Sequence, residues 1–170
     1  MQQIAEFSKV SFNEFESAWK KLYPNTIATN IKEIYEKIKL PTRATKGSAG
    51  YDFFIPIDIN LASNQTIVIP TGIRVKIEEG WFLGIFPKSG LGFKYRLQLD
   101  NTVGIIDSDY YYSDNEGHIF IKLTNDSKQP KLLELKQSSS ICQGIFIPFG
   151  ITYNDNSKAI RNGGFGSTSK

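Results

Sequence analysis

Residues 101–117 read Asn101-Thr-Val-Gly-Ile-Ile-Asp107-Ser-Asp-Tyr110-Tyr-Tyr-Ser-Asp-Asn-Glu-Gly117, a polar, glycine-containing stretch between two alternating runs. Upstream lies Leu97-Gln-Leu and downstream Ile119-Phe-Ile-Lys-Leu. Two such runs around such a segment predict a β-hairpin. Asp107 closes the apolar run Gly-Ile-Ile, and Tyr110 follows three residues later. A carboxylate at that place is either a turn-former or a chemical group on a stiff support. Beside a flat ring in a concave hairpin it suits a nucleoside: the ring packs on sugar or base, and the acid works on a nearby water. Alone the pattern is weak, because turn formation commonly brings Asp and Tyr into hairpin loops.

Working outward, residues 41–148 contain short apolar runs broken by Gly, Pro, Asn and Ser. The runs fall at 51–59, 65–69, 73–77, 81–86, 97–99, 119–124, 131–135 and 141–148. That density of punctuated strands predicts a mainly β chain, a barrel or a sandwich. Residues 11–39 carry a helical period instead: Phe12, Phe15, Trp19, Leu22 and Tyr23, then Ile27, Ile31, Ile34, Tyr35 and Ile38. Ser11-x-x-Glu14 has the form of a capping box, Asn30-x-x-Glu33 that of a second cap, and Pro41 marks a stop. The organisation expected is a short N-terminal helical extension over 1–40 packed on the core, a β core over 41–160 and a flexible arm over 161–170. The arm is Gly-rich and holds one aromatic, too little apolar surface to fix itself on a core, though it has the parts of a lid for a phosphate ester.

At 170 residues, with 40% apolar content, the chain is one soluble globular domain. Its formal charge of +3 is too mild to argue for a nucleic-acid polymer, and the basic residues are not clustered beside exposed aromatics. The single cysteine, Cys142, sits in an apolar run and cannot form an intrachain disulfide, which points to a reducing compartment and a buried structural role. No apolar run is long enough to cross a bilayer and no leader is visible, so a cytoplasmic location without membrane association is expected.

Other stretches carry chemistry-bearing residues. Gly47-Ser-Ala-Gly-Tyr-Asp places Asp52 at the start of a strand. Pro87-Lys-Ser-Gly-Leu-Gly offers an ammonium, a hydroxyl and backbone N–H groups to phosphate oxygens through Lys88, Ser89 and Gly90. Gln143 is a polar side chain in an apolar strand, satisfied in the core or aimed into a site.

Together and in this order these stretches resemble the five ordered motifs of the trimeric dUTP diphosphatases (deoxyuridine triphosphatases, dUTPases). The resemblance spans 41–170: Pro-Thr-Arg-Ala-Thr-x-Gly-Ser-Ala-Gly-Tyr-Asp at 41–52, Pro-Lys-Ser-Gly-Leu-Gly at 87–92, Asn-x-x-Gly-x-Ile-Asp-x-x-Tyr at 101–110, Cys-Gln at 142–143 and Gly-Gly-Phe-Gly-Ser-Thr at 163–168. It implies a jelly-roll-like β-barrel of the β-clip type, assembled as a homotrimer with sites shared between subunits. It also implies hydrolysis of dUTP to dUMP and pyrophosphate by water attack at the α-phosphorus, with Mg²⁺ as cofactor. On that resemblance Asp107 activates the water, and Asn101 with the backbone of Val103, Gly104 and Ile105 pairs with uracil. Tyr110 packs on the deoxyribose and excludes a 2′-hydroxyl. Lys88, Ser89, Gly90 and Gln143 hold phosphates from a second subunit, and Asp52 reaches the magnesium through water, the ion being held mainly by the phosphates. Arg161, Phe165, Gly166 and Ser167 belong to the arm of a third subunit and close over phosphate and base.

The chain departs from the family pattern in four places. Lys88 stands where arginine is usual, which keeps charge but loses the bidentate fork. Ser140 replaces an arginine three residues before the glutamine, and Arg161 lies one residue nearer its Gly-Gly than usual. The segment after Tyr110 is longer by about five residues, expected as a flexible hairpin tip. The related dCTP deaminases share the fold but carry a catalytic glutamate where this chain has Lys122, which argues against deamination. A regulatory protein partner, as for phage members, is a further possibility, with the helices or the long tip as its docking surface.

Overall fold

The computed structural model describes residues 2–159 and 161–163. Its elements in order are β1 (Ala5–Lys9), α1 (Phe12–Leu22), α2 (Ala28–Glu36), β2 (Thr42–Arg43), β3 (Tyr51–Phe54), β4 (Ile59–Leu61), β5 (Thr66–Pro70) and β6 (Ile73–Ile77). They continue with β7 (Trp81–Pro87), α3 (Ser89–Tyr95), β8 (Leu97–Leu99), β9 (Gly104–Ile106), a 3-10 helix (Ser108–Tyr112), β10 (Phe120–Asn125), β11 (Leu133–Leu135) and β12 (Ser140–Pro148). The strands form four sheets: β1-β6, β5-β10-β8, β11-β4 and β2-β3-β12-β7-β9. All recorded pairings are antiparallel, and among the described residues no sheet closes on itself. The small sheets wrap one apolar core in jelly-roll-like fashion, as the punctuated apolar runs require.

Alternation along the strands decides what faces that core. In β10 Ile121 and Leu123 are buried while Lys122 is exposed, and in β6 Ile73, Val75 and Ile77 point inward. In β12 the successive residues Ile141 and Cys142 are both buried, where the register with β3 shifts between Ser140 and Cys142. Burial pushes the Cys142 thiol well above the usual range, as expected for a structural cysteine. Gly144 lets β12 pass close to its neighbours, since a Cβ there would come within 2.8 Å of Leu83 and 2.9 Å of Phe53.

The N-terminal segment differs from the helical extension expected for 1–40. It begins with β1, which pairs along its length with β6 and sends Phe7 among Tyr51, Phe53 and Phe146. Helix α1 follows with the expected face: Phe15, Ala18 and Trp19 are buried. Its N-cap Ser11 accepts the Glu14 N–H at 3.2 Å, worth about 1 kcal/mol. Helix α2 does not start at the Asn30 cap; its N-cap position is Ile27, without a side-chain cap, and Ile31 anchors it in the core.

The segment 101–117 is not a simple hairpin. β8 and β10 do pair, with Leu99 opposite Leu123. The chain between them leaves that sheet, adds β9 to the edge of β7, turns through the 3-10 helix and only then returns. This excursion places Asp107 and Tyr110.

Candidate functional site

Of the sequence-selected residues, Asp107 and Lys88 lie at opposite ends of β7, while Gly104 and Ile105 pair with Ile85 and Gly84 between them. Leu83, Gly84 and Ile85 of β7 pair with Ile106, Ile105 and Gly104 of β9, so Asp107 emerges beside the start of β7. Lys88 emerges after its last residue, Pro87. Six residues of extended strand separate the two ends, about 20 Å. Lys88 and Asp107 of one chain therefore cannot grip the α-phosphate and the tail of a single triphosphate.

At the first end, Asp107 precedes the 3-10 helix, and its carbonyl accepts the Tyr110 N–H at 3.2 Å. That turn fixes the spacing of acid and ring. Tyr110 is 4% exposed, and its hydroxyl donates to the His118 carbonyl at 2.7 Å and accepts from Asn115 Nδ2 at 2.9 Å. Burial raises the Tyr110 pKa, with the Asn115 hydrogen bond and the Arg161 charge pulling the other way. A mainly apolar cavity of about 370 Å³ opens beside the β8–β9 connection, lined by Ile85, Leu99, Asn101, Gly104, Ile105 and Phe120 among others. Gly104 eases the close approach of β9 to β7, because a Cβ would sit a tight 3.2 Å from the Cβ of Ile85. Lys122, the position that separates this chain from the deaminases, is exposed and pairs with Asp100 at 2.9 Å.

Arg161 also lies at this end. It donates to Asp107 Oδ2 at 2.5 Å and to Asp109 Oδ1 at 3.0 Å, with its guanidinium 5.7 Å from the centre of the Tyr110 ring. The arm of a chain thus begins on that chain's own acid, a contact the sequence did not announce. Phe165, Gly166 and Ser167 lie outside the described residues.

At the second end, the Lys88 ammonium sits between the two Asp52 oxygens, at 2.9 and 3.0 Å, and Ser140 Oγ at 3.0 Å. Register explains the cluster: Gln143 of β12 lies opposite both Asp52 of β3 and Phe86 of β7. The serine that replaces a usual arginine is thus a direct partner of the lysine that replaces another. Gln143 packs over Gly50, where a Cβ would meet its Oε1 at 2.5 Å. Ser89 and Gly90 lie exposed in the first turn of α3, whose leading N–H groups have no intrahelical partner. The sequence reading gives only a turn here; a short helix forms despite two glycines, closed by Arg96 in the left-handed region at φ 49°.

Among the described residues no group of three His, Cys, Asp or Glu side chains could hold a metal ion. Asp52 alone is a single carboxylate beside a cation and a hydroxyl. That donor set does not make a metal cage, but it fits Mg²⁺ that arrives on phosphate oxygens and needs only one protein carboxylate nearby.

These features define a class: a jelly-roll-like β subunit with an acid and a buried ring at one end of a strand and a cation–hydroxyl turn at the other. The chain belongs to the dUTPase family, whose sequence profile matches residues 36–169. It is 37% identical over 134 residues to the deoxyuridine 5′-triphosphate nucleotidohydrolase of Lactococcus lactis subsp. lactis (strain IL1403), covering 77% of this chain and 88% of that one. The enzyme of the same name from Haemophilus ducreyi is 38% identical over 145 residues, covering 81% and 91%. The crystal structure of dUTPase from Streptococcus mutans superposes with a TM-score of 0.61 at 29% identity, over 86% of this chain and 97% of that one. The dUTPase from phage phi11 of S. aureus gives 0.61 at 18% identity, over 92% and 97%, a likeness of fold.

Proposed function

We propose that the protein is a dUTP diphosphatase that hydrolyses dUTP to dUMP and pyrophosphate, limiting uracil in DNA and supplying dUMP for dTMP synthesis. The observation that carries the reading is the Asp107–Tyr110 turn that directly follows β9, whose Gly104, Ile105 and Ile106 line the apolar cavity, in a chain whose relatives are deoxyuridine 5′-triphosphate nucleotidohydrolases. Asn101 and the backbone of Val103, Gly104 and Ile105 pair with the uracil edge. Tyr110 packs on the deoxyribose and leaves no room for a 2′-hydroxyl. Asp107 accepts a proton from the attacking water, which is directed at the α-phosphorus.

Lys88, Ser89, Gly90 and Gln143 bind the phosphates, and Asp52 holds a water toward Mg²⁺. The metal, when bound, supplies charge neutralisation on the phosphate oxygens. The span of β7 between the two clusters supports a homotrimer in which phosphate-binding residues and acid come from different subunits. Arg161 and, beyond it, Phe165, Gly166 and Ser167 close the site over phosphate and base. The lone buried cysteine fits a reducing cytoplasm; among the described residues, no helix is long and apolar enough to cross a membrane. The long segment after Tyr110 is fastened to its own chain through the Ser11–Glu116 bonds.

The test is pyrophosphate release from dUTP, dTTP, dCTP and UTP, with and without Mg²⁺. Metal-dependent release confined to dUTP is expected. Release from none of the four overturns the reading.

A further inference from the structure

The residues inserted after Tyr110 do not form a free tip. Ser113, Gly117 and His118 are buried, and the segment folds back under the Tyr110 ring. Gly117 makes the return possible: its φ is +72°, and a Cβ would lie 2.8 Å from Tyr111 Cα and 2.9 Å from the Tyr110 carbonyl. Two clamps then hold the loop. On the β6 side, Arg74 stacks 3.6 Å from the centre of the Tyr111 ring and donates to the Tyr111 carbonyl at 2.8 Å. On the α1 side, the Glu116 carboxylate accepts both the Ser11 N–H at 2.7 Å and the Ser11 hydroxyl at 2.6 Å.

His118 makes the second link to α1. Its Nε2 accepts the Gly72 N–H at 2.9 Å, so in the neutral ring Nδ1 carries the proton and donates to Glu14 Oε1 at 3.1 Å. The His118 carbonyl is the group that receives the Tyr110 hydroxyl. The ring and the carbonyl of His118 therefore tie the first turn of α1, through one residue, to the hydroxyl of the residue that meets the sugar.

We infer that Ser11, Glu14, Glu116 and His118 are positioning residues for Tyr110: the N-terminal helix and the inserted loop form one brace that sets the sugar-facing wall of the pocket. This rests on the reading of Tyr110 as the deoxyribose-packing residue. A ring displaced by a fraction of an ångström opens space for a 2′-hydroxyl, so the brace governs discrimination of dUTP from UTP as well as affinity.

The test compares Glu116→Ala and Ser11→Ala, which cut the exposed clamp, with Lys9→Ala. The last removes the Lys9 Nζ bonds to the Tyr35 and Glu36 carbonyls and so loosens the same extension without touching the loop. Hydrogen exchange of residues 108–118 should quicken about tenfold in the clamp variants and stay unchanged in Lys9→Ala. The KM for dUTP should rise about fivefold with kcat within about twofold, the dUTP-over-UTP ratio should fall, and Ser11→Thr should keep wild-type values. Unchanged exchange over 108–118, or an equal KM rise in Lys9→Ala, overturns the brace. If the wild-type protein hydrolyses no dUTP, the enzymatic reading fails, and the exchange comparison still decides whether α1 holds the loop.

Discussion

The Arg161 guanidinium bridges Asp107 and Asp109, at 2.5 and 3.0 Å, so the acid assigned to water activation is held by its own chain's arm. The Asp107 side chain is 45% exposed, and an ion pair that wet contributes at most about 1 kcal/mol. A charge-assisted bond to a phosphate is worth about 1.5–3 kcal/mol. The larger value wins, so on the proposed reading nucleotide should draw Arg161 off Asp107 and free the acid as the site fills.

Arg161→Ala should therefore lower kcat/KM about tenfold or more rather than raise it. Deleting 161–170 should do the same while shifting the melting temperature by no more than about 2 °C, because an exposed ion pair anchors little of the fold. Steady-state kinetics and calorimetry on both variants decide it; higher turnover would make Arg161 a plug.

Asp107→Asn should reduce kcat by about a thousandfold, within the range of general-base catalysis. Affinity for a non-hydrolysable dUTP analogue should stay within about threefold, since the amide keeps shape and loses only proton acceptance. Calorimetric titration beside a turnover assay separates the two effects.

Lys88→Arg should lower the KM for dUTP by about two- to fivefold, because a guanidinium can hold Asp52 and still present a second edge to phosphate. Ser140 contributes one hydroxyl at 3.0 Å, a partner the longer side chain can retain. An unchanged KM would mean that the lysine already saturates this grip.

Stability should fall on acidification through the His118 window. Burial lowers the His118 pKa from 6.5 to about 4, so between those values the unfolded chain binds a proton that the native ring refuses. The loss is absent above pH 6.5 and reaches at most about 3 kcal/mol near pH 4. Glu14 acts in the opposite sense: burial and the Glu116 charge raise its pKa, so it favours the native state as pH falls. Unfolding midpoints in urea from pH 7 to 4 should show the net drop, and His118→Gln should flatten it.

Gly117→Ala should cost about 2 kcal/mol or more, since it combines a left-handed backbone with contacts under 3 Å to Tyr110 and Tyr111. Thermal denaturation measures this directly.

Local pattern was legible in the sequence, and long-range partnership was not. The apolar runs located most strands, since alternation against one core leaves a mark in each run alone. β1 escaped because Glu6-Phe-Ser-Lys9 alternates too briefly and takes its stability from β6, more than sixty residues away. Ser11-x-x-Glu14 looked like a reciprocal capping box, and half of it forms. The other half goes elsewhere: the Ser11 N–H is taken by Glu116, 105 residues on, and Glu14 turns to His118. The candidate site residues could be proposed from their order, whereas the Lys88–Ser140 and Arg161–Asp107 pairings depend on strand register and chain return, which no spacing encodes.

Cys142, on the strand between β3 and β7, is wholly buried, and burial holds its thiol protonated. A disulfide-exchange reagent can reach it only when the packing around β12, β3 and β7 opens. Those are the strands that bring Asp52, Gln143 and the approach to Lys88 together. The rate of thiol labelling should thus be a built-in clock for the end proposed to bind phosphate: one native sulfur times how often that cluster comes apart.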